Sequence, residues 1–344
     1  MMKKTFCLIT PWMALGGADR CGVDLLRLCR ELGHRTITVT TRHEEMKHFQ
    51  RREFSAVSDD IYTTESEDSL IQVLTREQPN WILINNAHEA YDHVEQIRSA
   101  VPNAKISALM HMLLSRPWDF ERKILAHREY FDLVLTVSKK LAADLNVLGI
   151  ENAKHLYWFG FDPNKVDTSN VSREGFRILC PFRLHGQKRP MMLVPVAKTL
   201  REIREKPFEF LITGSGNLEK TLRQEIRKNS LEDFFTFEGE IPFGKMHEYY
   251  AKSDVLLCPS LDEGIPLVYY EAEQYNLPIV ASDVGAVSEM FPKENLVSLN
   301  GVREVDMYAH RIHYHLENKL ESVSNTHRYD YNDWVDRSIE LLQL

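Results

Sequence analysis

Residues 254–282 of the chain read DVLLCPSLDEGIPLVYYEAEQYNLPIVAS. The runs DVLLCPS and PIVAS are short, apolar and bounded by turn residues, a pattern typical of buried strands. The run LVYYEAEQYN between them predicts a helix, which Pro266 opens. A strand, a helix and a strand in this order predict a βαβ unit with two parallel strands.

Two glutamates stand on either side of the start of this helix. Glu263 lies in the turn before the helix, and Glu271 lies in its second turn. A turn that opens a helix presents free backbone N–H groups and the positive end of the helix dipole, which favour phosphate. The flanking carboxylates can accept hydrogen bonds from hydroxyl groups. Phosphate and hydroxyl groups together describe a nucleotide-sugar.

The segment SLDEGIPLVYYEAEQYNLPIVASDVGAVSE, residues 260–289, resembles the signature of retaining glycosyltransferases of family 4, which have the GT-B architecture. Several elements agree with that signature in both order and spacing. They are Glu263, Gly264, Pro266, Glu271 and the run Asp283–Glu289. The resemblance covers nearly the whole chain and is sharpest from about residue 178 to residue 289.

The resemblance implies a role for each glutamate. Glu271 accepts hydrogen bonds from the ribose of the donor, and Glu263 contacts hydroxyl groups of the transferred sugar. The backbone that faces the phosphate is that of Gly264, Ile265, Pro266 and Leu267. The purely structural alternatives are a surface carboxylate for Glu271 and a partner of the helix dipole for Glu263.

A second candidate segment, PFRLHGQKRP at residues 181–190, follows a predicted strand. Two of its cations, Arg183 and Lys188, can clamp a diphosphate, Arg with a fork of donors and Lys as a point charge. The family pattern G-R-L-x-x-x-K-G implies that they stabilise the leaving nucleoside diphosphate. Phe182 and Arg189 stand here at the two glycine positions. The alternative is a solvated basic loop.

Two glycine pairs also follow predicted strands. Gly214 and Gly216 form a G-x-G between a strand and a helix, which the resemblance places beside the donor. A structural turn is an equal alternative. Gly16 and Gly17 resemble the N-terminal glycine loop of the family, which borders the donor phosphates. Asp19 either belongs to that loop or simply starts the next helix.

His111 ends a predicted strand in the first half of the chain. A lone histidine on an apolar run is usually a core residue, but the resemblance implies a position close to the donor sugar. Arg116, Trp118 and Arg122 follow and could line the acceptor side. A solvated loop and helix start is the favoured alternative for these three.

Strands and helices alternate on both sides of a polar stretch, residues 163–175, which we interpret as a linker. The predicted fold class is α/β, with two Rossmann-like doubly wound domains facing across a cleft, as in GT-B. The predicted domains are residues 1–165, on the acceptor side, and residues 175–325, which bind the nucleotide-sugar. The resemblance implies that a terminal helix within residues 326–344 packs back on the first domain.

The composition is that of a globular protein, with 344 residues, 43% apolar and 27% charged. A net charge of -8 gives no reason to expect nucleic acid as a partner. Residues 1–165 carry 21 Lys and Arg against 22 Asp and Glu, and residues 166–344 carry 21 against 28. The first half is therefore better suited to an anionic surface, which is compatible with peripheral membrane contact.

The five cysteines are scattered through apolar runs, which predicts a reduced, cytoplasmic protein. Lys3 and Lys4 before TFCLITPWMAL resemble a short signal peptide, but a buried first strand ending at Pro11 is the favoured interpretation. No apolar run approaches the roughly 18 residues of a membrane span.

These features predict a retaining hexosyltransferase that moves a sugar from a nucleoside-diphosphate-sugar to a hydroxyl of a saccharide acceptor, which could be lipid-linked. The chain contains no D-x-D motif, so we expect neither a metal requirement nor a cofactor. Positive charge then comes from Arg183, Lys188 and helix dipoles. The alternatives are a GT-B epimerase or phosphorylase, or a non-catalytic subunit that binds a nucleotide-sugar.

Overall fold

The structure of the protein is a computed structural model, which describes residues 3–11, 13, 16–41, 48–114, 119–158, 176–293, 296–299, 301, 303–318 and 331–344. The chain divides into two compact units. The first comprises Met1–Trp158 and Asn332–Leu344, and the second comprises Phe159–Tyr331. The predicted linker, residues 163–175, lies outside the described residues.

The strands of the first unit are β1 (Thr5–Thr10), β2 (Arg35–Thr40), β3 (Asp60–Thr63), β4 (Trp81–Ile84), β5 (Lys105–Met110), β6 (Leu133–Thr136) and β7 (Ala153–His155). They form a parallel sheet in the order β3-β2-β1-β4-β5-β6-β7. The direction in which strands are added reverses between β1 and β4. Ligands of doubly wound sheets bind at the carboxyl ends of the strands beside such a switch point.

The helices of the first unit that precede the linker are α1 (Gly17–Glu31), α2 (His48–Val57), α3 (Glu67–Glu77), α4 (His88–Asp92), α5 (Val94–Ala100), α6 (Asp119–Ala126) and α7 (Lys139–Val147). Ser138 is the N-cap residue of α7. The hydroxyl of Ser138 accepts a hydrogen bond of 3.1 Å from the N–H of Leu141, which satisfies one of the free donors at the helix start.

The strands of the second unit are β8 (Arg177–Cys180), β9 (Glu209–Ile212), β10 (Phe235–Phe237), β11 (Val255–Cys258), β12 (Ile279–Ser282) and β13 (Leu296–Val297). They form a parallel sheet in the order β10-β9-β8-β11-β12-β13. The switch point of this sheet lies between β8 and β11, so the loops that follow these two strands are placed to bind a ligand.

The helices of the second unit are α8 (Leu193–Ile203), α9 (Glu219–Lys228), α10 (Phe243–Ala251), α11 (Leu267–Gln274) and α12 (Glu304–Asn318). The helices α8 and α12 share one apolar core with the sheet, which includes Ile178, Leu200, Phe210, Leu257 and Ile312. Helices on a parallel sheet bury its strands, which is why those strands are apolar runs in the sequence. The predicted α/β class with two Rossmann-like units is confirmed.

The last helix, α13 (Tyr331–Leu342), packs on the first unit although the second unit precedes it in the chain. The Trp334 side chain is fully buried, and its ring lies 5.7 Å from that of Trp158. The ammonium group of Lys4 donates a hydrogen bond of 2.7 Å to the carbonyl of Gln343. None of the helices within the described ranges is both long enough and apolar enough to cross a lipid bilayer.

Candidate functional site

The start of α11 is the centre of the candidate site in the second unit. Pro266 is the N-cap residue, with φ -65° and ψ 132°. The backbone N–H groups of Gly264, Ile265, Leu267 and Val268 donate hydrogen bonds to none of the described residues. These donors and the helix dipole favour an anion at this position.

The loop after β12 packs tightly against this turn. The N–H of Ala286 donates a hydrogen bond of 3.1 Å to the carbonyl of Gly264. Gly285 has φ +60°, and a β-carbon there would lie 1.6 Å from the carbonyl oxygen of Glu263. Only glycine fits this position, both because of its backbone conformation and because of this close approach.

Glu263 is held by a cation from the loop after β8. Lys188 lies in a short 3-10 turn, Gly186–Lys188, and its ammonium group forms an ion pair with a carboxylate oxygen of Glu263. The side chain of Lys188 is 16% exposed and that of Glu263 is 7% exposed. The switch point of the sheet therefore brings together two residues that are 75 positions apart in the chain.

Arg183, the other predicted cation of this loop, is exposed. Its guanidinium group forms neither an ion pair nor a hydrogen bond with any described residue. In this loop Lys188 is thus already paired, whereas Arg183 is available to an anionic ligand.

Glu271 is 5% exposed and faces the interior of the second unit. One of its carboxylate oxygens accepts a hydrogen bond of 2.5 Å from the hydroxyl of Tyr250, which lies on α10. Burial and the charge of Glu271 raise the pKa of Tyr250 well above its usual range, so the phenol stays protonated and donates. Tyr250 was not predicted from the sequence, because nothing in its local pattern indicates a partner 21 residues away.

Gly214 and Gly216 bring two loops together. A β-carbon at Gly214 would lie 2.2 Å from the carbonyl oxygen of Phe182, and one at Gly216 would lie 2.5 Å from that of Leu184. The N–H of Leu184 also donates a hydrogen bond of 2.9 Å to the carbonyl of Ser215. These glycines support the loop that carries Arg183 and Lys188, and their predicted contact with the donor stays a prediction.

The carboxyl edge of the first sheet holds His111, directly after β5. Its Nε2 lies 2.8 Å from the amide oxygen of Asn85, which follows β4. The amide nitrogen of Asn85 donates to the carbonyl of Ala18, also at 2.8 Å. Because this bond orients the amide, Nε2 of His111 must carry the hydrogen, and Nδ1 is left as an acceptor.

Burial lowers the pKa of His111 to about 4, so its imidazole is neutral at pH 7. The loop that carries it is also held by Glu121, a buried carboxylate on α6. Glu121 accepts hydrogen bonds of 3.4 and 3.2 Å from the N–H groups of His111 and Met112. Neither Asn85 nor Glu121 was predicted as part of this arrangement.

Gly16 and Gly17 lie at the start of α1, where Gly16 is the N-cap residue. The N–H of Gly16 donates a hydrogen bond of 3.1 Å to the carboxylate of Asp19. Asp19 therefore caps the start of α1, as expected if it simply starts this helix. Two of the candidate acceptor-side residues, Arg116 and Trp118, lie outside the described residues.

The described residues contain no cluster of three His, Cys, Asp or Glu side chains of the kind that holds a metal ion. The five cysteines are all buried. The expectation that no metal is required stays a prediction, which transfer assays with a chelator can test.

The family model described as "Glycosyl transferases group 1" matches residues 162–333, which is half of the chain. The chain belongs to this family. The match contains the loop of Lys188 and the whole of the α11 site. Membership of glycosyl transferases group 1 thus agrees with the coarser part of the resemblance found in the sequence.

Curated relatives include two proteins of Erwinia amylovora. The amylovoran biosynthesis glycosyltransferase AmsK is 28% identical over 189 residues, which is 52% of this chain and 45% of AmsK. AmsD, with the same described activity, is 34% identical over 112 residues, which is 33% of this chain and 30% of AmsD. The chain thus spans less than half the length of these relatives.

Solved structures share the fold over the whole chain. Alr3699/HepE of Anabaena, solved in complex with UDP, has a TM-score of 0.71 and 16% identity, with 99% of this chain and 100% of that chain covered. The pneumococcal O-GlcNAc transferase GtfA, in complex with UDP and GlcNAc, has a TM-score of 0.71 and 13% identity, with coverages of 100% and 96%. At these identities the likeness concerns the fold.

Proposed function

We propose that this member of glycosyl transferases group 1 is a retaining hexosyltransferase that uses a nucleoside-diphosphate-sugar as the donor. The acceptor in this proposal is a saccharide hydroxyl, free or lipid-linked. The observation that carries the proposal is the start of α11, where free backbone N–H groups lie between Glu263 and Glu271. Lys188 contacts Glu263 directly at this same position.

The departure of the nucleoside diphosphate is the step in which negative charge develops on the leaving oxygen. Donors that are already in place stabilise such charge without reorganisation, and the loss of one typically costs on the order of 3 kcal/mol in the barrier. The N–H groups at the start of α11 and the two cations, Arg183 and Lys188, are the donors that this chain offers. The proposal assigns them to the diphosphate.

The two glutamates are assigned to the hydroxyl groups of the donor. Glu271 would accept from the ribose, with its carboxylate held by the hydroxyl of Tyr250. Glu263 would accept from hydroxyl groups of the transferred sugar once a diphosphate has drawn Lys188 away from it. Both residues are nearly buried, so few water molecules compete for their oxygens.

The proposal that the anomeric configuration of the sugar is retained rests on the resemblance to family 4. The proposal uses a front-face mechanism, in which the leaving phosphate assists the deprotonation of the acceptor hydroxyl, and it needs no carboxylate nucleophile. His111 in this scheme contacts the donor sugar through its neutral ring. These assignments agree with a histidine that burial keeps uncharged at pH 7.

The names of the relatives guide the choice of substrates. AmsK and AmsD belong to amylovoran biosynthesis, which suggests a saccharide acceptor from polysaccharide assembly. HepE and GtfA were solved with UDP, so UDP-sugars are the first donors to test.

The experiment incubates the protein with UDP-hexoses and saccharide acceptors in the presence of EDTA, and determines the anomeric configuration of the product by NMR. Transfer with retained configuration, lost in Glu271→Gln, is the expected result. Inversion would contradict the mechanism. A donor altered without acceptor would identify an epimerase, and nucleotide binding without turnover on any acceptor would favour a non-catalytic subunit.

A further inference from the structure

Arg189 adopts a backbone conformation that suits glycine. Its φ and ψ are both 51°, in the left-handed region, where a β-carbon is crowded by the following carbonyl group. Arg189 is also the position at which the family pattern has its last glycine. An arginine therefore stands here in a backbone conformation that favours glycine.

A carboxylate 115 positions away holds the Arg189 side chain. Glu304, the first residue of α12, accepts hydrogen bonds from both terminal nitrogens of the guanidinium group, and Nη2 lies 3.1 Å from Oε2. The two side chains are only 17% and 14% exposed. A two-pronged pair of this kind fixes orientation as well as distance, which a single point charge does not.

The helix that carries Glu304 is itself anchored in the second unit. Tyr308 lies one turn further along α12, is fully buried, and has its hydroxyl 2.8 Å from that of Ser282 at the end of β12. Ile312 and Leu316 continue the same face of α12 into the apolar core that also contains residues of α8. Because α12 is held firmly in the second unit, the ion pair with Glu304 restrains the loop that carries Arg189.

Arg189 joins two short turns, Gly186–Lys188 and Pro190–Met192. Its N–H donates to the carbonyl of Gly186 at 3.1 Å, and its own carbonyl accepts from the N–H of Met192 at 2.9 Å. These hydrogen bonds and the conformation of residue 189 fix the backbone directly after Lys188, and with it the position of the Lys188 side chain.

We infer that the Arg189–Glu304 pair replaces the missing glycine, and that Glu304 is a positioning residue for Lys188. The inference rests on the proposed function only in assigning a nucleoside diphosphate to Lys188. The structural part of the inference is that Glu304 is needed only because residue 189 is not glycine. This part does not depend on any ligand.

The test is a cycle of four proteins: wild type, Glu304→Gln, Arg189→Gly and the double variant. Hydrogen exchange of peptides spanning residues 183–192 is measured without ligand, and UDP affinity is measured by calorimetry. Glu304→Gln is expected to speed exchange in this segment, to lower Tm by about 3 °C and to weaken UDP binding roughly tenfold. Arg189→Gly and the double variant are expected to match wild type within about twofold, because glycine adopts the turn unaided.

Glu317→Gln is the matched control, since Glu317 lies on the same helix and pairs with Arg204 and Lys206. It is expected to lower Tm without changing exchange in residues 183–192 or UDP affinity. Equal effects of Glu304→Gln in wild type and in the Arg189→Gly variant would overturn the inference, as would unchanged exchange in Glu304→Gln. If wild type binds no UDP, the proposed donor is contradicted, while the exchange data still decide whether the pair replaces glycine.

Discussion

Lys188 and Glu263 form an ion pair at the switch point of the second sheet, and both side chains are largely shielded from water. In the proposed reaction each of them has a different partner, the diphosphate for Lys188 and the transferred sugar for Glu263. Binding of the donor must then exchange this internal pair for two contacts with the ligand. The pair neutralises both charges in the absence of the donor.

Replacement of Glu263 by Gln should separate binding from catalysis. Glu263→Gln leaves Lys188 without its carboxylate partner, which destabilises the ligand-free protein by roughly 1–3 kcal/mol. A bound diphosphate gives Lys188 a new partner. We expect a lower Tm, a larger UDP-induced rise in Tm and a fall of about 100-fold or more in kcat. Thermal unfolding and turnover measured on the same preparation check this. A parallel loss of UDP binding would show that Glu263 does not compete with the ligand for Lys188.

Gly285→Ala should damage the site through the backbone. Both the left-handed conformation and the 1.6 Å approach to the Glu263 carbonyl oppose a β-carbon, so we expect a loss of about 3–5 kcal/mol of stability. Gly239→Ala is the matched control, because Gly239 has φ +71° with no described atom within 4 Å of the added carbon. It should cost about 1–2 kcal/mol from conformation alone. Chemical denaturation measures the loss of stability in both variants. Similar losses for Gly285→Ala and Gly239→Ala would contradict the close packing of Gly285 against the Glu263 carbonyl.

Tyr250→Phe should weaken the Glu271 side of the site. The change removes a buried donor to a carboxylate, for which we expect a loss of roughly 1.5–3 kcal/mol of stability and weaker nucleotide binding. Tyr249→Phe is the control, since its hydroxyl bonds to Glu238 at 3.1 Å on the exposed surface. It should change stability by less than about 0.5 kcal/mol. Equal effects of the two substitutions would refute the assigned role of Tyr250.

The pKa of His111 predicts a pH dependence of stability. Burial lowers it to about 4, below the usual value of 6.5, so between these values the unfolded chain binds more protons than the folded protein. The contribution of His111 to the free energy of unfolding is therefore fully present above pH 6.5 and is lost as the pH drops towards 4. His155, whose pKa burial also lowers to about 4, contributes in the same direction. His111→Gln should reduce this fall between pH 6.5 and 4, and an unchanged profile would contradict the assignment.

Apolar strands and turn residues made most of the fold predictable. The strands near both switch points were predicted from short apolar or β-branched runs. Glu263, Glu271 and Lys188 were predicted from the segments that resemble the family signature. The edge strand β3 was missed because its residues are partly exposed and carry no apolar run. Helix α12 was missed as well, although Tyr308, Ile312 and Leu316 repeat every four residues.

The partners of the site residues were not predictable, because they come from distant parts of the chain. Tyr250 donates to Glu271, Asn85 orients His111, and Glu304 holds Arg189. Each of these contacts exists only once the strands and helices have packed. The periodicity of a sequence indicates which face of an element is buried, but it does not identify the side chain opposite.

The most direct test of the account is whether Lys188 and the start of α11 bind a nucleoside diphosphate. Thermal unfolding of wild type, Lys188→Ala and Lys198→Ala is followed with UDP, GDP, ADP, TDP and CMP without metal; Lys198 is an exposed lysine of α8. A nucleotide at 100-fold its Kd adds about 2.7 kcal/mol of stability. The account predicts that one nucleoside diphosphate raises Tm in wild type and Lys198→Ala but not in Lys188→Ala. An equal rise in Lys188→Ala, or no rise in folded wild type, would contradict it.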